Sequence, residues 1–196
     1  MSGVTTVSLI GVGGQGILLA EAILAEAAAA EGLHVKASEV HGMAQRGGSV
    51  VSTVRFGDHV WSPVSPSRAD IVIATELLEG HRGLRLLEAG GALVCAVTTR
   101  IPPGSVLRRE QPYPEGLEDA AAQRGVRLLA VDAEGLAREA GTVRAVNVVL
   151  LGAASTVLPF GEESWSRALI AAVPEKIRPV NERAFASGRE AATRSV

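Results

Sequence analysis

At 196 residues, 47% of them hydrophobic, the chain is long enough for one domain with a real core and too apolar to be disordered. Its 19 basic and 21 acidic residues leave no global positive field, so neither nucleic acid nor a membrane surface is expected as a partner. The single cysteine, Cys95, excludes an internal disulfide and a self-contained four-thiolate iron–sulfur cluster.

Only 3% of the residues are aromatic, so the core must be built from Ala, Val, Leu and Ile, which suits helices packed on a sheet through small side chains. Residues 4–10 are apolar and β-branched and predict a buried first strand ending at Gly11. After a glycine-rich turn, the Ala- and Leu-rich residues 17–31 predict a helix stopped by Gly32. Glu21 and Glu26 interrupt that apolar run and exclude a membrane span. With no basic stretch followed by a long apolar run at the start, no secretory leader is expected, and the protein is expected in the cytoplasm.

Residues 33–38 and 49–56 predict the second and third strands. Between them, residues 39–48 fit neither strand nor helix. Residues 62–67 carry two prolines and predict an extended loop. Residues 71–75 then predict a strand, 76–88 a helix ending at Gly90 and Gly91, and 92–98 a strand. Prolines 102, 103, 112 and 114 bracket an irregular excursion. A helix at 117–124, a strand at 126–131 and a helix at 133–140 follow, and residues 145–158, 162–173 and 175–189 predict three more helices. This alternation argues a three-layer α/β/α fold with a mainly parallel or mixed sheet and a Rossmann-like start. It is expected to form one domain, with an α/β core at 1–142 and a helical C-terminal extension at 143–196.

Gly11, Gly13 and Gly16 fit G-x-G-x-x-G between a strand and a helix, with Gly14 and Gln15 as the spacer. Such glycines permit a tight turn and leave N–H groups free at a helix N-terminus, where a phosphate is favoured. Glu39, 23 residues beyond Gly16, is placed where a dinucleotide site keeps its acidic residue. A free-standing NAD(P)-binding oxidoreductase therefore stays open at this point. So does a loop that only lets strand and helix pack closely. The amide of Gln15 suggests contact with another group or chain.

The stretch from Glu39 to Gly48 places a carboxylate, the imidazole of His41, the amide of Gln45 and the guanidinium of Arg46 on a backbone loosened by Gly42, Gly47 and Gly48. Arg46 can bind a carboxylate or phosphate through its fork of donors, and His41 can transfer protons near neutral pH. Alternatively, Arg46 pairs with Glu39 and the segment fixes its own shape. In a parallel sheet this segment and the glycine loop are expected to emerge at the carboxyl ends of adjacent strands, where ligands bind.

On these residues the sequence resembles the gamma-type subunit of 2-oxoacid:ferredoxin oxidoreductases. The signatures are the glycine loop from Gly11 to Gly16 and the run His41, Met43, Ala44, Gln45, Arg46, Gly47, Gly48, followed by Val54 and Arg55. Ser62-Pro63, Asp70, Glu76, Glu79, Arg82, Gly90-Gly91, Asp132, Asn147, Gly152, Asn181 and Phe185 are similar to the indolepyruvate-type members in particular, and the resemblance covers nearly the whole chain. It implies a subunit of an enzyme that converts a 2-oxoacid, coenzyme A and oxidised ferredoxin into acyl-CoA, CO2 and reduced ferredoxin. It also implies that thiamine diphosphate and iron–sulfur clusters sit on a large partner chain, and that ferredoxin is met through the complex. The implied role here is completion of the complex, with Gly11, Gly13, Gly14, Gln15, Gly16, His41, Gln45, Arg46, Gly47 and Gly48 as candidate contacts for coenzyme A, another anion or the partner. No catalytic residue and no metal ligand is assigned to this chain, and homodimerisation stays open. A noncatalytic scaffold module is the remaining alternative.

Cys95 reads as a small core residue, and His34, His59 and His81 lack metal-site spacing. Glu79, Arg82 and Arg85 predict a solvated ion-pair face on one helix. Trp61 and Trp165 are each buried or at an interface. Asn147, within an apolar helix, is expected to cap or bond backbone, and an interface contact stays open.

Overall fold

The computed structural model describes residues 3–41, 48–64, 68–103, 107–108 and 112–194. Its strands are β1 (Thr5–Val12), β2 (His34–His41), β3 (Ser49–Gly57), β4 (Ala69–Ala74), β5 (Leu87–Ala96) and β6 (Arg127–Val131). The helices are α1 (Ile17–Ala30), α2 (Leu77–Gly83), α3 (Leu117–Gln123), α4 (Ala133–Ala140), α5 (Val146–Ala154), α6 (Glu162–Ala172) and α7 (Arg178–Arg194). Short 3-10 turns at Val143–Ala145 and Glu175–Ile177 lead into α5 and α7.

The strands form one sheet in the order β2-β3-β1-β4-β5-β6. Strands β1, β4, β5 and β6 run parallel, whereas β3 runs antiparallel to both of its neighbours. The connection at 42–48 is too short for the crossover of a dozen or more residues that a parallel return requires, so β3 comes back antiparallel beside β2. The sheet is therefore mixed. The glycine loop and the 39–48 segment do not belong to adjacent strands, as parallel packing predicts, because β3 stands between β1 and β2. They still share one edge, since Val12 pairs with Ser49 and His41 with Val50. Glu39 and His41, expected in irregular backbone, extend β2.

The helix expected at 76–88 is only α2. Gly80 and Gly83 weaken its helical preference, and both sit against the sheet. A Cβ on Gly80 would lie 2.5 Å from Cys95 Sγ, and one on Gly83 2.8 Å from Val72 Cγ1. Leu87 already pairs with Ala69, and the next registered pair is Ala92 with Ile71. The Gly90-Gly91 pair thus makes a bulge within β5, with Gly90 at φ 80°, and does not end a helix.

On one face of the sheet, α1, α4, α5, α6 and α7 close a continuous core over Val7, Leu9, Val54, Phe56, Ile73 and Val94. All nine residues of α5 are buried, so residues 146–154 lie at the centre of this core. Two glycines make the layer possible. A Cβ on Gly152 would lie 2.0 Å from the Phe185 carbonyl oxygen, and one on Gly188 1.9 Å from that of Val149, so α5 and α7 cross in backbone contact. On the other face, α2 and α3 cover β4, β5 and β6 through Leu77, Leu84, Leu117 and Ala121.

Candidate functional site

Because α1 and α2 leave β1 and β4 toward opposite faces, the sheet has its topological switch point at the carboxyl ends of these two strands. That crevice is the ordinary ligand position in an open α/β sheet. Here the chain fills it. Gln15 Oε1 accepts from the Val12 N–H at 2.8 Å and from the Thr75 hydroxyl at 2.6 Å, while Nε2 donates to the Thr75 carbonyl at 3.2 Å. Gly11 is what admits them, since a Cβ there would lie 2.0 Å from Thr75 Oγ1.

Other loop groups are also engaged internally. The Gly13 N–H donates to the Gly48 carbonyl at 2.9 Å and the Gln15 N–H to the Val12 carbonyl at 3.1 Å. Asn147 Nδ2 donates to the Gly16 carbonyl at 2.9 Å. Gly16 has φ 73°, and a Cβ on it would stand 2.6 Å from Asn147 Nδ2. The amides of Val12, Gly13 and Gln15 are therefore taken up internally, and Gln15 holds this chain's own strand end. The dinucleotide geometry fails for a second reason. Glu39 lies opposite Ser52 of β3, and β3 separates it from β1. Two strand spacings, about 10 Å, divide Glu39 from the strand that carries the loop.

What stays open is the flank of the loop. A cleft of about 510 Å³ is lined by Gly14, Gln15, Gly16, Thr99, Arg100, Arg144 and Asn147. No side chain caps the N-terminus of α1 beside it, so its first N–H groups and the positive end of its dipole face this region. Asn147 and Thr99 are 2% and 8% exposed, and Asn147 Oδ1 and Thr99 Oγ1 are buried without a hydrogen-bond partner among the described residues. Orphaned polar atoms in a cleft wall are costly unless a ligand or water meets them. Glu134, the acidic lining residue, is engaged by Arg138 at 2.5 Å. The arrangement suits an anion that also offers hydrogen-bond donors. Sequence reasoning singled out Asn147 but missed Thr99, Arg100 and Arg144. Their position just beyond β5 and ahead of α5 was the available signal.

Under the Thr99–Arg100 side lies a buried acidic network. Glu76 caps α2, accepting from the Leu78 N–H at 3.0 Å and the Glu79 N–H at 2.6 Å. It also accepts from the Tyr113 hydroxyl, and burial together with this carboxylate pushes the Tyr113 pKa up. Arg100 sits 5.9 Å above the Tyr113 ring. Glu79 is 1% exposed and not part of a solvated face as expected. It accepts from Ser49 Oγ at 2.8 Å and from Arg82 at 2.5 Å. Burial lowers the His81 pKa against the opposing charge of Glu76, and burial pushes the Cys95 thiol far up, leaving it an inert core group.

Of the remaining sequence-predicted positions, Gly48 meets Gly13 as described, and the His41 backbone pairs with Val50. Gly42, Met43, Ala44, Gln45, Arg46 and Gly47 lie outside the described residues. Trp165 is buried, whereas Trp61 is 91% exposed.

Residues 6–191 match the family described as pyruvate ferredoxin/flavodoxin oxidoreductase. The chain belongs to this family. The indolepyruvate oxidoreductase subunit IorB of Thermococcus kodakarensis is 41% identical over 190 residues, spanning 94% of each chain. Among solved structures, the gamma subunit of a keto/oxoacid ferredoxin oxidoreductase from Geobacter sulfurreducens superposes with a TM-score of 0.73 at 26% identity, covering 97% of this chain and 99% of that one. The 2-oxoglutarate:ferredoxin oxidoreductase of Magnetococcus marinus, with 2-oxoglutarate, coenzyme A and succinyl-CoA bound, shares the fold with a TM-score of 0.76 at 22% identity over 97% of this chain and 31% of that one. The chain is thus a subunit of a 2-oxoacid:ferredoxin oxidoreductase.

A four-thiolate iron–sulfur cluster does not fit the donors here. An iron–sulfur cluster needs four thiolates, and this sequence has one cysteine, buried in the core. Among the described residues no group of three or more His, Cys, Asp or Glu side chains is arranged to hold a metal ion. Among them, too, no helix is long and apolar enough to cross a membrane.

Proposed function

We propose that this chain is the small subunit of an arylpyruvate:ferredoxin oxidoreductase, with indolepyruvate as the expected substrate, and that it helps to receive coenzyme A. The observation that carries the substrate class is the 41% identity to an indolepyruvate oxidoreductase subunit across 94% of both chains. Thiamine diphosphate and iron–sulfur clusters on a larger partner supply the decarboxylation and the electron transfer, ferredoxin meets the complex through that partner, and the assembly works in the cytoplasm.

This chain's own residues bind and orient. Coenzyme A carries phosphates, amides and an aminopurine, which matches the chemistry of the cleft. The N-terminus of α1 beside Gly14 and Gly16, with Arg100 and Arg144, would hold phosphate oxygens. Asn147 Oδ1 and Thr99 Oγ1 would accept from ligand N–H groups. Gln15, bridging Val12 and Thr75, keeps the loop in shape while the ligand comes and goes. Gly11, Gly13 and Gly48 serve the same purpose, and His41, Gln45, Arg46 and Gly47 would add further contacts to coenzyme A or the partner.

The test is steady-state kinetics of the complex co-expressed with its larger chain. Arg144→Ala and Arg46→Ala should each raise the KM for coenzyme A roughly tenfold, with the KM for the 2-oxoacid unchanged. Unaltered coenzyme A kinetics in both variants would remove these residues from the site. A preference for pyruvate or 2-oxoglutarate over indolepyruvate would overturn the substrate assignment.

A further inference from the structure

Among the described residues the helix packed on β2 and β3 is α1, on one face of the sheet, and on the opposite face α2 reaches only as far as β1. Along β3, Val50, Ser52, Val54 and Phe56 are buried, while Val51, Thr53 and Arg55 on the other side are only partly covered. Strand register organises that side into rows. Ser38, Thr53 and Ser8 stand directly opposite one another across the three strands, and Lys36, Arg55 and Thr6 form the next row. The hydroxyl row lines a trough of about 300 Å³ together with Pro63, Val64, Arg68 and Arg85.

The charge around this trough is mainly positive. Lys36, Arg68 and Arg85 are exposed, and their side chains have no ion-pair partner among the described residues. Arg55 donates to the carbonyls of Ser62 at 2.5 Å and Val64 at 3.0 Å, so its charge is bound but not neutralised by a carboxylate. Two carboxylates lie beside these cations and keep their charge, Asp70 accepting from the Thr6 N–H and Glu88 from the Arg68 N–H, so positive charge is in excess among the described residues. A chain of net charge −2 has therefore gathered four cations around one sheet face that is only partly covered along β3. Val64, in the trough wall, is 67% exposed, and Trp61, three residues before it and stacked on His59, is 91% exposed, so large apolar side chains stand open on the strap that borders a basic groove.

We propose that this face is the seat of an acidic segment of the larger subunit, with its carboxylates held by Arg68, Arg85 and Lys36 over the hydroxyl row and its apolar residues against Val64 and Trp61. The inference rests on the assignment of the chain as a subunit of a larger complex. It is distinct from the coenzyme A cleft, which lies at the carboxyl edge of β1 and along the start of α1.

The experiment is sedimentation velocity of the full chain with its larger subunit at low and high salt, using wild type, Arg68→Gln/Arg85→Gln, Arg68→Glu/Arg85→Glu and, on the opposite face, Arg138→Glu. Charge reversal should weaken association about 100-fold at low salt and neutralisation about tenfold, both with a flatter salt dependence, and Arg138→Glu should match wild type. Both target arginines are exposed, so the thermal midpoint of the isolated variants is expected to hold. Association of the charge-reversed variant with wild-type affinity overturns the docking face and leaves the subunit assignment intact. A wild-type chain that fails to associate overturns both. Unchanged assembly, accompanied by inorganic phosphate binding that the reversed variant loses, would replace the partner segment with a small-anion site.

Discussion

On the α1 side of β3, Val54 and Phe56 are almost fully excluded from water. One residue away on the same strand, Thr53 and Arg55 are only partly buried, and Arg55 is bonded to the carbonyls of Ser62 and Val64. The closed side is held by close approach, with α5 and α7 touching backbone to backbone through Gly152 and Gly188. Burying one such side chain as Phe56 contributes about 2–3 kcal/mol, and the layer multiplies that gain. The open side returns little folding energy of this kind and carries charge and hydroxyls instead. Side chains that stabilise this chain and side chains that await something outside it thus sit on opposite faces of the same strands.

The largest way to break this contrast is at the helix crossing. Gly188→Ala should cost about 3 kcal/mol of unfolding free energy, at the upper end for overpacking, because the clash is with the rigid Val149 carbonyl. Urea unfolding of the isolated chain measures it, and a loss below about 1 kcal/mol would mean that the two helices separate freely. The glycine loop, where both sides meet, should respond next. Gly16→Ala should cost about 2 kcal/mol, combining left-handed backbone strain with displacement of Asn147. In an Asn147→Ala background part of that cost should vanish, giving a coupling of about 1 kcal/mol in a double-mutant cycle. Additive effects would show that the two residues act independently. The smallest effect belongs to the open face. Thr53→Val should leave stability within about 0.5 kcal/mol, and a large change in the same urea titration would show that the hydroxyl row belongs to the folding core.

Local pattern revealed much of this. The buried β1, the glycine turn, α1 stopped at Gly32 and the alternating strands and helices are all legible, because each is set by side-chain periodicity and backbone preference within a few residues. The length of α2 was misread. The apolar run continues through Leu84, Leu86 and Leu87, and only pairing with Ala69 makes Leu87 a strand residue. The buried state of Glu79 was also hidden, since its partner Ser49 lies 30 residues away.

The glycine loop shows the same division most sharply. By itself the sequence determined that residues 11–16 form a tight turn into a helix, and that this turn with the following polar segment resembles a family in which the chain works beside a larger partner. Only the tertiary structure decided what the turn does. Gln15 is tied to Thr75, 60 residues on, and Gly16 to Asn147, 131 residues on. Those bonds tie the loop to this chain's own strand end and to α5, and the open polar surface lies on the flank beside Arg100 and Arg144. The antiparallel insertion of β3 likewise separated Glu39 from β1. Spacing along a chain reports what neighbours in sequence favour, whereas which hydrogen-bonding groups remain unsatisfied depends on segments that meet only when the sheet has formed.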